Sequence, residues 1–276
     1  MNYLEFQFKV EPQQPATEIL IAELNEIGFE SFVEEEDSLK AYIPENNFQE
    51  KLLDDLSILK SDGFKIAFEK KLIQDQNWNA KWESEYEPVI VDERCYIRAP
   101  FHPSKPEVEF EIEIEPQMSF GTAHHETTYQ MIQLLMDENL EGLSVLDMGC
   151  GTAVLAILAA MKDAKTIDAI DNDEWAFNNA CENVKKNHYP NIKVFRGDAS
   201  LLIDQSYDII IANINKNILL RDMHAYVKVL QKDGKILFSG FYENDLIDIQ
   251  KKATSLGLRY KNHISKNNWV AAVFIK

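Results

Sequence analysis

The 276-residue sequence predicts a doubly wound α/β (Rossmann-like) domain preceded by a small ferredoxin-like α+β domain. Three observations predict it. From Thr128 onward, apolar strand-length runs alternate with amphipathic helix-length runs, as a parallel sheet with crossover helices requires. The run Val145-Leu146-Asp147-Met148-Gly149-Cys150-Gly151 ends an apolar strand in a glycine turn and passes into the apolar helix Val154 to Ala160. The first 74 residues follow a different order, β-α-β-β-α-β, which is the split βαβ arrangement.

Element by element, Tyr3 to Val10 alternates apolar and polar residues as a half-buried strand does. Pro15-Ala16-Thr17 opens a helix with Ile19, Leu20, Leu24 and Ile27 on one face, and Gly28 stops it. Phe32-Val33 and Leu39-Ala41-Ile43 make two short strands around an acidic turn. Phe48, Leu52, Leu53, Leu56 and Leu59 predict a second amphipathic helix, and Phe64, Ile66 and Phe68 the closing strand. Residues 75–87 carry Trp78, Trp82 and Tyr86 at fourfold spacing, which predicts a linker helix with one aromatic face. The second domain, 88–276, begins with short strands at Val89-Ile90-Val91 and Cys95-Tyr96-Ile97. An alternating run from Val108 to Glu115 follows, apolar on one face and glutamate on the other. Strands are then expected at 143–148, 166–171, 191–196, 207–212 and 234–240, with a final pair at 258–263 and 269–275.

Composition narrows the function classes. A hydrophobic share of 45% and a charged share of 27% describe an ordinary globular protein. No apolar run approaches the roughly 20 residues of a membrane helix, and the start lacks an export signal's basic and apolar regions. Cys95, Cys150 and Cys181 have no zinc spacing, so free thiols in a reducing compartment, the cytoplasm, are expected. The net charge of −18 argues against direct nucleic-acid binding, which needs Lys and Arg for phosphate contacts. The charge is uneven: residues 1–75 hold 17 acidic and 7 basic residues, a net of −10, whereas residues 116–276 hold 19 and 17, a net of −2. An acidic front end suits a basic partner; it also serves solubility alone.

Chemistry concentrates at the strand ends. Gly149 and Gly151 let the backbone approach a ligand at the carboxyl end of the first strand. Twenty-two residues beyond Gly149, Asp171 ends the second strand, placed to accept from two ribose hydroxyls. A dinucleotide site shares this architecture, but Val154 occupies the third glycine position of its fingerprint, and Asp147 would oppose a pyrophosphate. S-adenosylmethionine carries an ammonium and a sulfonium and no phosphate, so an acidic turn suits it.

Upstream, the loop Pro116 to Thr128 precedes an amphipathic helix, and Thr127 or Thr128 suits a cap or a hydroxyl donor. His124 and His125 lack a third ligand at a metal spacing, so no metal is expected and a rim position is. The fourth strand ends at Asn213, whose amide oxygen suits an amine that needs acceptors for its N–H bonds, or equally a cap on the next helix. Asp198, after the third strand, suits either the adenine amino group or a turn.

With these residues in view, the sequence resembles the PrmA family, methyltransferases of the large-subunit ribosomal protein eleven. The resemblance spans almost the whole chain. Its most specific element is Met118-Ser119-Phe120-Gly121-Thr122-Ala123-His124-His125-Glu126-Thr127-Thr128, close to a family loop that covers the cofactor. It implies a class I methyltransferase that uses S-adenosylmethionine, yields S-adenosylhomocysteine and methylates lysine or N-terminal amines. It implies cofactor contacts at Thr128, Gly149, Asp171 and Asn213, with Asn213 the catalytic candidate. It also matches Trp269 to a family tryptophan near the substrate side; from the residues themselves, His124 is a further substrate-side candidate at the rim, and Phe120 and Trp269 are expected to wall the pocket. The front domain is implied to recognise the ribosomal protein, and a monomer is expected. Two departures stand out: Ala123 and Ala153 replace family glycines, and each penalises a positive φ. A methyltransferase for another protein or small-molecule amine, a cofactor-sensing binding module and a nicotinamide dehydrogenase are the other classes the residues allow.

Overall fold

The computed structural model describes residues 2–35, 37–54, 56–61, 63–73, 86–117 and 120–276. The chain forms two compact units, Met1–Glu85 and Tyr86–Lys276. Residues 74–85, which include Trp78 and Trp82 and most of the expected linker helix, lie outside the described residues.

In the first unit the strands β1 (Tyr3–Glu11), β2 (Ser31–Glu35), β3 (Ser38–Pro44) and β4 (Lys65–Ile73) form an antiparallel sheet in the order β2-β3-β1-β4. This is the split βαβ order expected from the sequence. Helix α1 (Gln13–Glu26) covers the sheet with Ala16, Leu20 and Leu24, one residue per turn, while Ile19 faces solvent. It ends in a Schellman arrangement: Phe29 N donates to Leu24 O and Gly28 N to Asn25 O.

The expected second helix is reduced to a single turn, α2 (Lys51–Asp54), followed by a 3-10 turn at Ile58–Lys60. The sequence Asp54-Asp55-Leu56-Ser57 is poor in strong helix formers. Glu23 of α1 then takes the opening N–H of the second turn, accepting from Ile58 N at 3.1 Å, and also bonds the Ser57 hydroxyl. The apolar residues still point inward, with Leu56 and Ile58 buried among the Phe6, Phe8 and Phe29 rings.

The second unit is built on a seven-stranded sheet among the described residues. Its strands are β8 (Ser144–Met148), β9 (Thr166–Asp171), β10 (Ile192–Arg196), β11 (Tyr207–Asn213), β12 (Leu230–Tyr242), β13 (Arg259–Lys266) and β14 (Trp269–Ile275). The order is β10-β9-β8-β11-β12-β14-β13, with β14 antiparallel to both neighbours. Chain direction across the sheet reverses between β8 and β11, the point where doubly wound sheets open a crevice. Among the described residues five helices flank it: α3 (Glu126–Asp137), α4 (Val154–Met161), α5 (Glu174–Lys186), α6 (Lys216–Val229) and α7 (Leu246–Ser255). The strands β8 and β11 are apolar throughout their centres because both faces are covered, and Val145, Leu146 and Ile209 to Ala212 are all buried.

A small sheet, β5 (Val89–Val91), β6 (Cys95–Arg98) and β7 (Phe110–Glu113), precedes α3. Phe110, Ile112 and Ile114 are buried, as the alternation required. The backbone at the end of β7 and just beyond it is held by two side chains of α5 and by its C-cap Asn187, each one turn apart. Asn187 brackets Glu113, accepting from its N–H at 3.0 Å and donating to its carbonyl at 2.7 Å. Asn183 accepts from Glu115 N at 2.8 Å, and Asn179 donates to Glu115 O at 3.2 Å. Three asparagines thus stand where a neighbouring strand would, satisfying backbone groups at the entry to the long loop. Among the described residues no helix is long and apolar enough to cross a membrane.

The ring of Phe6 is fully buried and meets Phe29 at 5.4 Å and Phe48 at 5.0 Å between centroids. Phe6→Ala is expected to destabilise the first unit by about 3–5 kcal/mol, measured as a lowered urea midpoint at unchanged slope.

Candidate active site

The carboxyl edge of the large sheet opens into a cleft of about 1090 Å³. Its lining follows the strand order. Asp171 ends β9, Gly149 and Gly151 follow β8, Asn213 ends β11, Gly240 lies near the end of β12, and Trp269 begins the antiparallel β14. Phe120, His125 and Thr127 of the upstream loop close one side. Residues scattered over 150 positions in the chain thereby form one continuous wall.

Two glycines set the depth of the cleft. Gly149 has φ +73°, and a Cβ there would lie 2.2 Å from Ile214 Cγ2. Gly151 has φ +54°, and its Cβ would lie 2.2 Å from the carbonyl oxygen of Phe120. That carbonyl accepts from Thr152 N at 3.0 Å, and Thr152 Oγ1 donates to Gly121 O at 2.7 Å. The upstream loop therefore rests directly on the glycine turn.

Asp171 carries both structural and free capacity. Its Oδ2 accepts from Gly151 N at 2.9 Å and its Oδ1 from Asp173 N at 3.0 Å. A carboxylate offers about four acceptor positions, so about two remain for a ligand in the cleft. Asn213 donates from Nδ2 to Thr128 Oγ1 at 3.2 Å, while its Oδ1 is buried with no partner. The cap of α6 is Asn215, which accepts from Ile218 N at 3.1 Å, so Asn213 is released from the capping role that its position also allowed. A buried amide oxygen without a partner carries a desolvation penalty that a bound donor relieves.

Thr127 is buried, and His125 caps α3 by accepting from Thr127 N through Nδ1. The His125 ring meets Trp269 at 4.7 Å and Phe120 at 5.2 Å, and Tyr242 stacks on Trp269 at 4.0 Å. Phe120, His125 and Trp269 line the cleft together with Asn213, and Tyr242 backs Trp269 from outside the lining. Thr128 stands behind the wall, as the partner of Asn213. His124 does not line the cleft; its ring nitrogens lie 3.0 Å from Thr122 Oγ1 and 2.9 Å from Glu87 O.

Asp147 and Asp198 also lie outside the lining. Asp198 is the cap of the 3-10 turn Ala199–Leu201 and accepts from Ser200 N at 2.9 Å, and these Ser200 bonds hold its carboxyl below the usual range. Asp147 is fully buried beneath the glycine turn; Oδ2 accepts from Ala156 N at 3.1 Å and Oδ1 has no partner. Burial pushes its carboxyl up to about 7, and the nearby Asp171 adds to the rise against the Ala156 bond. The described residues hold no cluster of three or more His, Cys, Asp or Glu suited to a metal.

Ala123 and Ala153 adopt left-handed backbone, with φ of 66° and 63°. Each conformation costs about 1–2 kcal/mol for a residue with a Cβ. Both methyl groups are buried in the core, which returns about 0.8 kcal/mol apiece. The glycine replacements are thus partly offset by packing.

The cleft also includes Gln117, Asn172, Asp173, Trp175, Ile214 and Asn215, none of which the sequence pattern singled out for binding. All but Gln117 lie within four residues after a strand ending in Asp171 or Asn213, where a doubly wound sheet presents its loops.

The family profile described as ribosomal protein L11 methyltransferase (PrmA) matches residues 10–276. The chain belongs to this family. A ribosomal protein L11 methyltransferase of Phocaeicola vulgatus is 44% identical over 279 residues, covering 100% of this chain and 99% of its own length. One of Bacteroides fragilis is 43% identical, with both chains fully covered. Among solved structures, a ribosomal protein L11 methylase from Lactobacillus delbrueckii subsp. bulgaricus superposes with a TM-score of 0.64. It is 24% identical, and the match covers 68% of this chain and 98% of that one. A methyltransferase from Pyrococcus furiosus gives a TM-score of 0.50 at 17% identity, over 59% of this chain and 88% of that one. Over the covered parts these two structures share their fold with this chain.

Asp147 makes a directional prediction about pH. Its folded-state value near 7 lies above the unfolded value of about 3.9, so folding takes up a proton. The contribution is most favourable below pH 4 and is lost as pH rises toward 7. Asp147→Asn keeps an acceptor for Ala156 N and removes the charge. The variant is expected to gain on the order of 4 kcal/mol over the parent at pH 8 and nothing at pH 4, in urea unfolding at the two values.

Proposed function

We propose that this chain transfers methyl groups from S-adenosylmethionine to lysine or N-terminal amines of the large-subunit ribosomal protein L11. The family supports the reaction class and the client, and the observation that carries the reading is the unpartnered Asn213 oxygen at the head of the cleft. Bound S-adenosylmethionine supplies an electrophilic methyl carbon on sulfur.

The residues present fit that cofactor. Asp171 would accept from the ribose hydroxyls with the lone pairs that Gly151 and Asp173 leave open. Gly149 and Gly151 keep the turn that lines the cleft on its course, because a Cβ at either would collide with Ile214 or the Phe120 carbonyl. Asn213 then has two neighbours to serve. Its Oδ1 accepts an N–H, from the cofactor's ammonium or from the incoming amine, and in the second case it aims the nitrogen lone pair at the reacting carbon. Thr128 holds the amide in that orientation. Phe120 and Trp269 exclude water from the end where the amine enters, and His125 braces both rings. Thr127, bonded to His125, fixes the loop that carries Phe120.

A free lysine has a pKa of about 10.4 and must shed a proton before it attacks. Enclosure by apolar rings favours the neutral amine. Of the titratable side chains of the cleft, His125 has its Nδ1 committed to Thr127 N, and Asp171 and Asp173 lie at the β9 end with β8 between them and Asn213, so none is set aside as a base and the proton leaves to solvent. Positioning supplies the acceleration. The acidic front unit, net −10 over residues 1–75, favours a basic client. A ribosomal client puts the reaction in the cytoplasm. His124, bonded at the outer rim, sits where it can steady the loop for the incoming protein.

Asn213→Ala is expected to cut turnover at saturating cofactor by about 100-fold or more, in single-turnover methyl transfer to the purified ribosomal protein. Turnover within threefold of the parent would remove Asn213 from the mechanism. Incubated with S-adenosylmethionine, unmethylated ribosomal protein L11 is expected to gain mass in whole methyl increments, read by intact-mass spectrometry against an enzyme-free control. No gain by a protein that binds the cofactor would overturn the client.

A further inference from the structure

We propose that Gln130 is a positioning residue for methyl transfer, holding Trp269 in register with Asn213 at the cleft. The inference rests on the methyl-transfer reading above and adds the device that sets where Trp269 stands. Gln130 lies in the second turn of α3 and is buried, a place where an amphipathic helix ordinarily carries an apolar side chain. Its Nε2 donates to Trp269 O at 3.0 Å and to Ile264 O at 3.4 Å, one carbonyl on each strand of the β13–β14 hairpin. Its Oε1 is buried without a partner. A methionine there would fill similar space with no orphaned amide oxygen, so packing alone does not account for the amide. What the amide secures is the backbone of a residue that lines the cleft.

The sheet leaves that register loosely set. Asn213 ends β11 and Trp269 begins β14, and β12 lies between the two strands. The pairing of β12 with β14 shifts register between Ser239 and Phe241, next to the Tyr242–Trp269 pair. A bulge interrupts the ladder and bends the strand, so pairing through β12 does not alone fix Trp269 against Asn213.

Helix α3 spans the two. Thr128 accepts from Asn213 Nδ2 at 3.2 Å, and Gln130, two residues on, takes the Trp269 carbonyl. Residues two apart leave a helix in nearly opposite directions, so a single turn reaches both strands. The same segment grips the tip of the hairpin. Asn267 donates to Glu126 at 2.9 Å, and the Lys266 ammonium stands 3.6 Å from the centre of the Tyr129 ring. His125 packs on the Trp269 ring at 4.7 Å. Ring and backbone of Trp269 are thus both registered to the helix that holds Asn213.

The test is a double-mutant cycle in the full chain: parent, Gln130→Met, Trp269→Ala and the pair. Each is assayed for kcat/KM on purified ribosomal protein L11 at saturating S-adenosylmethionine. Gln130→Met keeps the length of the side chain and removes both N–H donors. It is expected to lower kcat/KM about tenfold, through a Trp269 that is misplaced rather than missing. In the Trp269→Ala background the same change is expected to cost less than about twofold, because no ring remains to misplace. Affinity for S-adenosylhomocysteine, by isothermal titration, is expected to stay within about twofold, since Asp171 and the glycine turn are untouched. Should Gln130→Met not fold, Gln130→Asn takes its place in the cycle; it keeps the amide but is shorter by one methylene. An equal loss with and without the Trp269 ring would show Gln130 acting through the fold at large and overturn the inference, as would an unchanged kcat/KM in Gln130→Met. Trp269→Ala at the parent's rate would overturn it too, while leaving methyl transfer intact. A parent that transfers no methyl group would overturn the methyl-transfer reading and this inference with it.

Discussion

The contact between the upstream loop and the glycine turn after β8 is the constraint on which the cleft depends. The Phe120 carbonyl accepts from Thr152 N and sits where a side chain on Gly151 would be. One backbone segment lies on another with nothing between them. That contact places Phe120, His125 and Thr127 over the strand ends, and it brings Thr128 to Asn213, so the head of the cleft and its roof are set together. The loop is also held at its start, where two asparagines of α5 and its C-cap Asn187 take the backbone of residues 113–115.

The division of labour among the acidic residues follows from depth. Asp171 is half-buried, bonds two backbone N–H groups and keeps capacity for a ligand. Asp147 is one layer lower, with only Ala156 N for company, and burial makes its carboxyl reluctant to ionise. A cation placed in the cleft above it would favour its charged form, so ligand charge and the protonation of a residue outside the lining are linked. Asp198 spends its charge on a turn. Three aspartates near strand ends thus have three roles, distinguished by what each can hydrogen-bond.

In the first unit, the replacement of a full helix by one turn and a 3-10 turn leaves the core intact because the apolar side chains keep their direction. Glu23 supplies from α1 the hydrogen-bond acceptor that a continuous helix would have supplied from within. The consequence is seen on β4, where Phe68 and Leu72 remain about 42% exposed on the face that a longer helix would cover.

The sequence by itself determined the strand and helix order of both units, the glycine turn, and the pairing of Asp171 with that turn. These rest on periodicity and on backbone sterics, which act within a few residues. The resemblance carried by Met118 to Thr128 added the loop over the cleft and the relevance of Trp269. Tertiary structure alone decided which side chains face the cleft. Asp147 and Asp171 each lie at the carboxyl end of an apolar strand, and nothing local shows that one is buried beneath the turn and the other lines the wall. Asn213 and Asn215 are two residues apart at the same strand end; only the course of the chain into α6 makes Asn215 the cap and leaves the Asn213 oxygen unpartnered. Trp175 reads in sequence as one residue of an amphipathic helix, and its place in the cleft with Asp171 and Gly149 exists only because β9 and β8 are neighbours in the sheet. Contacts between segments distant in sequence depend on how strands are ordered side by side, and that order is a property of the packed sheet.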